Sequence, residues 1–335
     1  MTVTRPLPVR VLAVLLAALA ALWLPAYAAA VDEVAFTIKD RRIAESSGLA
    51  TDTTGKLYWT VNDSGSSGIA YGINGKGDTE GTVRFLADPV DIEALAMDDN
   101  RLFLADIGDN GKRRNSVTVF AIDNPEPNDD TRSYRAYDFS YPDGPHDAEA
   151  MLVDGRGRFY FVTKEVRGGI YRAPVNPSRT GVNELRRVGN APAFVTDGTF
   201  LPDGEQIALR TYVSVEMLDA DSYDVVAQAP LPLQPQGETI TMDLDGDHLL
   251  VGSEGIRSKV YRIPVPTSIV DTPNPSASPP PTPTPTPSPT AEPENGEDID
   301  APVAPENPEG TLLAVGLAAG VAVLAAAAVI LLGKR

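Results

Sequence analysis

The chain has 335 residues, 46 acidic against 28 basic side chains, and no cysteine. A net charge of −18 argues against nucleic acid, whose phosphates need basic neutralisation. The missing thiol removes disulfide frameworks, cysteine-ligated zinc, iron–sulfur clusters and cysteine nucleophiles, and two histidines, His146 and His248, leave little for a histidine-rich metal site.

At the N-terminus, Arg5 and Arg10 precede an apolar run from Val11 to Leu24, and Ala26-Tyr27-Ala28 and Ala29-Ala30 follow. A positive start, a short apolar stretch and small residues at the cleavage positions predict a secretory signal peptide over residues 1–30.

Residues 31–266 carry a repeat. Ile69-Ala-Tyr71-Gly-Ile73, Thr118-Val-Phe120-Ala-Ile122, Gly169-Ile-Tyr171-Arg-Ala173, Val215-Glu-Met217-Leu-Asp219 and Lys259-Val-Tyr261-Arg-Ile263 recur at spacings of roughly 44–51 residues, a period that marks propeller blades. Each follows a hairpin whose turn is rich in Asp and Gly, as at Asp154-Gly155, Asp203-Gly204 and Asp245-Gly246. A unit of this length with three or four strands is a propeller blade. The expected fold is therefore all-β, a five-bladed β-propeller. A sixth, irregular blade within Asp123–Pro145 is the alternative. The fifth unit lacks a fourth strand before the chain leaves the domain, so Val34-Ala-Phe-Thr-Ile38 is expected to supply it and close the ring.

Beyond the propeller, residues 267–309 run through Pro-Thr alternation into an acidic stretch. Repeated proline fixes φ and removes donors, so this segment is expected to be an extended, disordered spacer. Residues 310–333 are expected to form a transmembrane helix, since Leu312 to Leu332 holds no polar side chain. Lys334 and Arg335 then act as cytoplasmic stop-transfer residues. Export, Pro/Thr spacer and Ala-rich anchor together resemble the layout of surface proteins of high-GC Gram-positive bacteria. The expected topology is a single-pass type I cell-membrane protein with an extracellular, monomeric ectodomain.

Removing both ends leaves 38 acidic against 24 basic residues within 31–266, so the folded domain is itself acidic. Aligning the first strand of each blade places Leu49, Leu95, Met151, Phe200 and Ile240 in one column. Two residues earlier stand Ser47, Glu93, Glu149, Gly198 and Glu238, and two earlier again Glu45, Asp91, Asp147, Thr196 and Gln236. Residues two apart share a strand face, so these polar positions converge toward the propeller axis. Three glutamates ionised together need a cation or raised pKa values. A hard, oxygen-ligated ion such as Ca²⁺ meets that need, and a water-filled acidic funnel is the other reading.

The order Ser, Glu, Glu, small polar, Glu resembles the inner strands of the calcium-activated nucleotidase (apyrase) family. That resemblance implies a five-bladed propeller with a central calcium held by Ser47, Glu93, Glu149 and Glu238, with Asp197 or Thr196 where the family has serine. The family's nucleotide-binding pattern is not found. Glu45-Ser-Ser-Gly-Leu49, Trp59-Thr-Val-Asn-Asp-Ser-Gly65 and Asp106-Ile-Gly-Asp-Asn110 also look, more loosely, like NHL or esterase-like phytase propellers.

Loops after the second strands bring Asn62, Asp63, Asp109, Asn110, Lys164, Glu165, Arg210 and Glu254 to the same mouth, and loops on a rigid scaffold are where function concentrates. Lys164 and Arg210 are its expected cations, there to meet an anionic ligand or to neutralise nearby carboxylates. Asp243-Leu-Asp-Gly-Asp247 is read as a hairpin turn rather than a calcium loop, because the length and final Glu of an EF-hand are missing. Two functions follow: a non-enzymatic surface module whose mouth binds a small molecule, glycan or protein, and a calcium-dependent hydrolase of phosphate esters. The first is preferred, because no strong catalytic constellation is present.

Overall fold

The computed structural model describes residues 33–63 and 68–268. The signal peptide expected over residues 1–30, the spacer expected over 267–309 beyond residue 268, the transmembrane helix expected over 310–333, and residues 64–67 lie outside the described residues. All regular structure among the described residues is β-strand. The chain opens with β1 (Glu33–Thr37). Blade 1 follows as β2 (Ser46–Asp52), β3 (Leu57–Asn62), β4 (Ile69–Ile73) and β5 (Thr79–Phe85). Blade 2 contains β6 (Ile92–Asp98), β7 (Arg101–Asp106) and β8 (Val117–Asp123). The short β9 (Asp130–Arg132) then precedes β10 (Arg135–Ser140), the fourth strand of this blade.

Blade 3 has β11 (Ala148–Val153), β12 (Phe159–Thr163) and β13 (Gly168–Arg172), then the short β14 (Val182–Glu184) and its own outer strand β15 (Arg186–Ala191). Blade 4 is β16 (Val195–Phe200), β17 (Gln206–Thr211), β18 (Ser214–Asp219) and β19 (Val225–Pro230). Blade 5 is β20 (Gly237–Met242), β21 (His248–Ser253) and β22 (Lys259–Pro264), completed by β1, which pairs antiparallel with β22.

The fold is thus a five-bladed propeller closed by its N-terminal strand, as the incomplete fifth repeat requires. The alternative of six blades is corrected. Asp123–Pro145 forms no blade of its own; it gives β10 to blade 2 and lends β9 to the edge of blade 1, parallel to β5. In the same way β14 pairs in parallel with β10. These additions cover two outer edges that would otherwise present unpaired backbone groups.

Apolar side chains fill the five clefts between blades. Trp59, Val83, Phe85, Leu102 and Leu104 pack between blades 1 and 2, and Phe103, Phe139, Phe159, Phe161 and Tyr171 between blades 2 and 3. Leu152, Tyr160, Ile207 and Leu209 fill the next cleft, and Met217, Ile240, Leu249 and Val251 the one after. Phe36, Ile38, Tyr58, Tyr71 and Leu250 join blade 5 to blade 1.

Closure of the ring is therefore secured by the hydrophobic burial of β1 as well as by its ladder. In blades 1, 3 and 5 the hairpin turn is held by a buried aspartate, Asp52, Asp154 or Asp243, at its first position. Asp52 accepts from Gly55 N at 2.6 Å and from Trp59 Nε1 at 3.1 Å, and Asp154 accepts from Arg156 N at 2.9 Å and Arg158 N at 3.0 Å.

Candidate functional site at the channel mouth

Every inner strand enters the sheet through an irregularity in its pairing. The breaks lie between Ser46 and Leu49, Ile92 and Ala94, Ala148 and Ala150, Val195 and Asp197, and Gly237 and Thr239. A bulge re-aims the extra residue, and here the same device recurs five times around one axis. The residues it selects are Ser47, Glu93, Glu149, Thr196 and Glu238, all at most 6% exposed.

In blade 4 the structure corrects the sequence alignment by two residues. Gly198 pairs with Leu209 just as Leu95 pairs with Leu104, so Gly198 stands in the apolar column and Thr196 in the polar one. Leu152 and Leu209 occupy the room a side chain would need at Gly198, which is why apolarity alone slipped the register to Phe200. Asp197, one residue along, is oriented the other way. It accepts from Gly198 N at 2.7 Å and from Ile240 N at 2.8 Å, bracing blade 4 against blade 5.

Within the ring, the Ser47 hydroxyl donates to Glu93 Oε2 at 2.8 Å, and Lys164 Nζ donates to Glu149 Oε1 at 2.6 Å. Glu238 Oε2 and Thr196 Oγ1 are buried with no hydrogen-bond partner. Burial, and then the charge of Glu149, push the Glu93 carboxyl well above the usual range. For Glu149 burial outweighs the opposing pull of Lys164, and the net shift is also upward. Glu238 is raised too, chiefly by burial. Burial disfavours the charge on Lys164, but Glu149 and Tyr212 more than compensate and its ammonium is held firmly protonated.

An outer tier sits above the ring. The carbonyls of Glu45, Asp91, Asp147 and Gln236 accept from the backbone of Asp63, Ile107, Lys164 and Glu254 at 3.0, 3.1 or 2.9 Å, pinning the second-strand loops to the mouth. Burial together with Asp63 and Asp147 pushes Asp91 up to about 6. Burial together with Glu238 and Asp63 pushes Glu254 up to about 7. Gly108 is required here, because a Cβ would run into the carboxylates of Asp91 and Glu93.

Two further sequence candidates turn out to be braces. Asp109 accepts from the backbone of Arg113 and Arg114 at 2.7 Å and donates its own N–H to Asp147 Oδ1 at 2.9 Å. Glu165 is tied to Lys112 Nζ at 2.5 Å and to His146 Nδ1 at 3.0 Å.

The expected pair of mouth cations does not form. Arg210 is fully buried between blades 4 and 5, donating to Thr239 O at 2.9 Å and Gln234 Oε1 at 2.7 Å. Burial holds its pKa down to about 10 against the pull of Glu238 and Asp197. A Cβ at Gly237 would overlap its guanidinium.

Sequence reasoning missed Asp106, which anchors the outer tier by accepting from Asp91 N at 2.9 Å, Val90 N at 3.1 Å and Arg114 Nη1 at 2.7 Å. It also missed Tyr212, 40% exposed, with Lys164 Nζ 5.5 Å from its ring centre. The Asp106-Ile-Gly108-Asp109-Asn110 run was the available signal for Asp106; none existed for Tyr212.

The donor set is all oxygen and rich in negative charge, which suits a hard cation. The orphaned Glu238 Oε2 and Thr196 Oγ1 are atoms such an ion would satisfy. Among the described residues, however, the ring glutamates do not bring three carboxylate oxygens within 4.8 Å of one another; Glu93 is hydrogen-bonded to Ser47 and Glu149 to Lys164.

No protein-family model and no curated protein sequence matches this chain. Among solved structures it is similar to a gluconolactonase from Xanthomonas campestris, at 15% identity and a TM-score of 0.40, over 68% of this chain and 88% of that one. The comparisons do not tie the chain to the calcium-activated nucleotidases.

Proposed function

We propose that the propeller is a ligand-binding surface module whose acidic mouth takes a cation, with Ca²⁺ as the candidate. One observation carries this reading: the buried ring of Glu93, Glu149 and Glu238 keeps Glu238 Oε2 and Thr196 Oγ1 without partners. Lys164 supplies a single charge to that ring, through Glu149. A buried ring of like charge needs neutralising. Ser47, Glu93, Glu149, Thr196 and Glu238 would hold the ion, which supplies fixed positive charge at the floor of the mouth. Glu45, Asp63, Asp91, Asp147, Glu254 and Tyr212 would then meet the ligand from the outer tier.

The ligand is proposed to be an extracellular small molecule, glycan or protein, met at the surface by a membrane-anchored, monomeric ectodomain. The phosphate-ester hydrolase is the weaker reading, since a phosphate needs free donors at the mouth and Arg210 is buried while Lys164 is committed to Glu149. The test is binding of the full chain to immobilised wall polymers, glycans and exported proteins with Ca²⁺ and with chelator, alongside hydrolysis assays on nucleotides and phytate. Chelator-sensitive binding without turnover is expected. Chelator-sensitive turnover would replace this reading with the hydrolase, and chelator-indifferent results throughout would refute both.

A further inference from the structure

A second cluster lies on the opposite face of the propeller. The inner strands begin at the acidic mouth, so the hairpin turn joining β20 to β21 emerges at the far end of the channel. There Thr51, Met97, Val153, Phe200, Met242 and Asp243 help to line an axial cavity of about 340 Å³. In that turn, ligand atoms of Asp243, Asp247 and His248 all lie within 4.8 Å of one another, the one such trio among the described residues.

The turn accounts for only half of Asp243. Its Oδ1 accepts from Gly246 N at 2.9 Å, Asp247 N at 3.2 Å and His248 N at 3.4 Å, which is the turn clasp expected from the sequence. Its Oδ2 does nothing in that clasp. The side chain is 0% exposed, yet Oδ2 has no hydrogen-bond partner. With the carboxylate plane set by three backbone N–H groups, this second oxygen lies between Arg262 Nη2, 3.5 Å away, and His248 Nδ1, 3.8 Å away.

That separation is what two ligands of one ion show. Bonds of ~2.0–2.1 Å to nitrogen and oxygen, at tetrahedral or wider angles, leave the ligand atoms ~3.4–4 Å apart. Asp247 Oδ1 lies 2.6 Å from the same Nδ1. Asp247 and His248 are 67% and 38% exposed at their side chains, so both have freedom to open around an ion, and solvent reaches the site. Arg262 Nη2 stands 3.5 Å from Asp243 Oδ2 and cancels one of the two carboxylate charges, so the trio keeps a net negative charge for a dication.

We infer that Asp243, Asp247 and His248 form a metal site for a divalent ion of the zinc class, distinct from the all-oxygen ring at the mouth. The imidazole decides the class: one nitrogen and two carboxylate ligands suit Zn²⁺ and its first-row neighbours, whereas Ca²⁺ takes oxygen donors. The ion would use Asp243 Oδ2, Asp247 Oδ1 and His248 Nδ1, leaving its other positions to water or to a group entering from solvent.

The experiment uses the full chain without a histidine tag, titrated with ZnCl₂ by calorimetry. In parallel, the ring signals of its two histidines are followed by NMR. One Zn²⁺ is expected to bind with the His248 signals shifting and the His146 signals still. Asp247→Asn is expected to weaken that event at least tenfold and His248→Gln to abolish it, whereas Glu238→Gln at the mouth leaves it intact. Tenfold excess Ca²⁺ is expected not to displace the zinc, and Arg262→Gln to tighten it. Melting in chelator checks that Asp247→Asn and His248→Gln fold like the parent. Absence of a Zn²⁺-linked shift at His248, or an affinity unchanged in both turn variants, would overturn the site; displacement by Ca²⁺ would overturn the assigned class.

Discussion

Glu238→Gln is the most informative single perturbation of the ring. Glu238 Oε2 has no hydrogen-bond partner, so the substitution keeps the volume and removes a charge that burial penalises. Without a cation, the ring carboxyls have folded pKa values raised above their unfolded ones, through burial and, for Glu93, the charge of Glu149. Their contribution to stability is therefore full below the unfolded value near 4.3, and is lost as pH climbs through the folded values. A pKa difference of one is worth ~1.4 kcal/mol. The parent should thus melt at progressively lower temperature as pH rises from 5 to 9 in chelator, by about 2–4 °C for each kcal/mol lost in a domain of ~200–250 residues.

A cation replaces the missing protons and reverses the trend. At a hundredfold excess over Kd it contributes about 2.7 kcal/mol. Differential scanning calorimetry of the parent and Glu238→Gln, from pH 5 to pH 9 in chelator and in Ca²⁺, separates the terms. In chelator at pH 8 the variant should melt above the parent, and in Ca²⁺ the order should invert as the variant loses most of the calcium shift. If the parent's melting temperature is flat across this pH range in chelator and indifferent to Ca²⁺, and Glu238→Gln merely destabilises, the ring reading is wrong.

Glu149→Gln should behave differently, because it strands Lys164 next to a neutral amide. A loss of about 2–4 kcal/mol is expected, largely recovered in Glu149→Gln/Lys164→Met, as urea unfolding in a double-mutant cycle will report. Gly237→Ala places a Cβ against the Arg210 guanidinium and should cost about 2–4 kcal/mol by thermal melting, whereas Arg210→Met/Gly237→Ala should regain part of it. Asp154→Ala removes the acceptor for Arg156 N, Arg158 N and Arg158 Nε, for a loss of about 1–3 kcal/mol at pH 7. Burial raises the Asp154 carboxyl, but the Arg158 and backbone hydrogen bonds outweigh it and the net shift is downward. Its contribution is present above the unfolded pKa and lost as pH falls through the folded one, so the gap between parent and Asp154→Ala should close in acid.

The hairpins of each blade follow from the chain's local pattern alone. Three strands and an Asp-Gly turn fit within one 44–51-residue unit, so alternation and turn chemistry expose the hairpins without knowledge of the rest. Counting those units gave five blades, and the unit without a fourth strand assigned that role to Val34-Ala-Phe-Thr-Ile38, now seen as β1 on β22. Ser47, Glu93, Glu149 and Glu238 were legible because each precedes a large apolar residue by two.

The register of the inner strands lies beyond that pattern, because strand alternation carries no record of a bulge. An extra residue changes which face the chain presents, so with Gly198 in the apolar column, reading by hydrophobicity slid to Phe200 and set Gly198, rather than Thr196, in the polar column. Nor does a strand pattern say whether a charged side chain reaches the channel or a cleft. Arg210 turns into the space left by Gly237 while Lys164 reaches Glu149, and both outcomes depend on a neighbouring element rather than on their own strand. The parallel strands β9 and β14 follow the same logic: Asp130 pairs with Val83, and Val182 with Asp138, partners more than 40 positions away. Contacts at that separation are fixed by how the blades pack, which no local window of the chain contains.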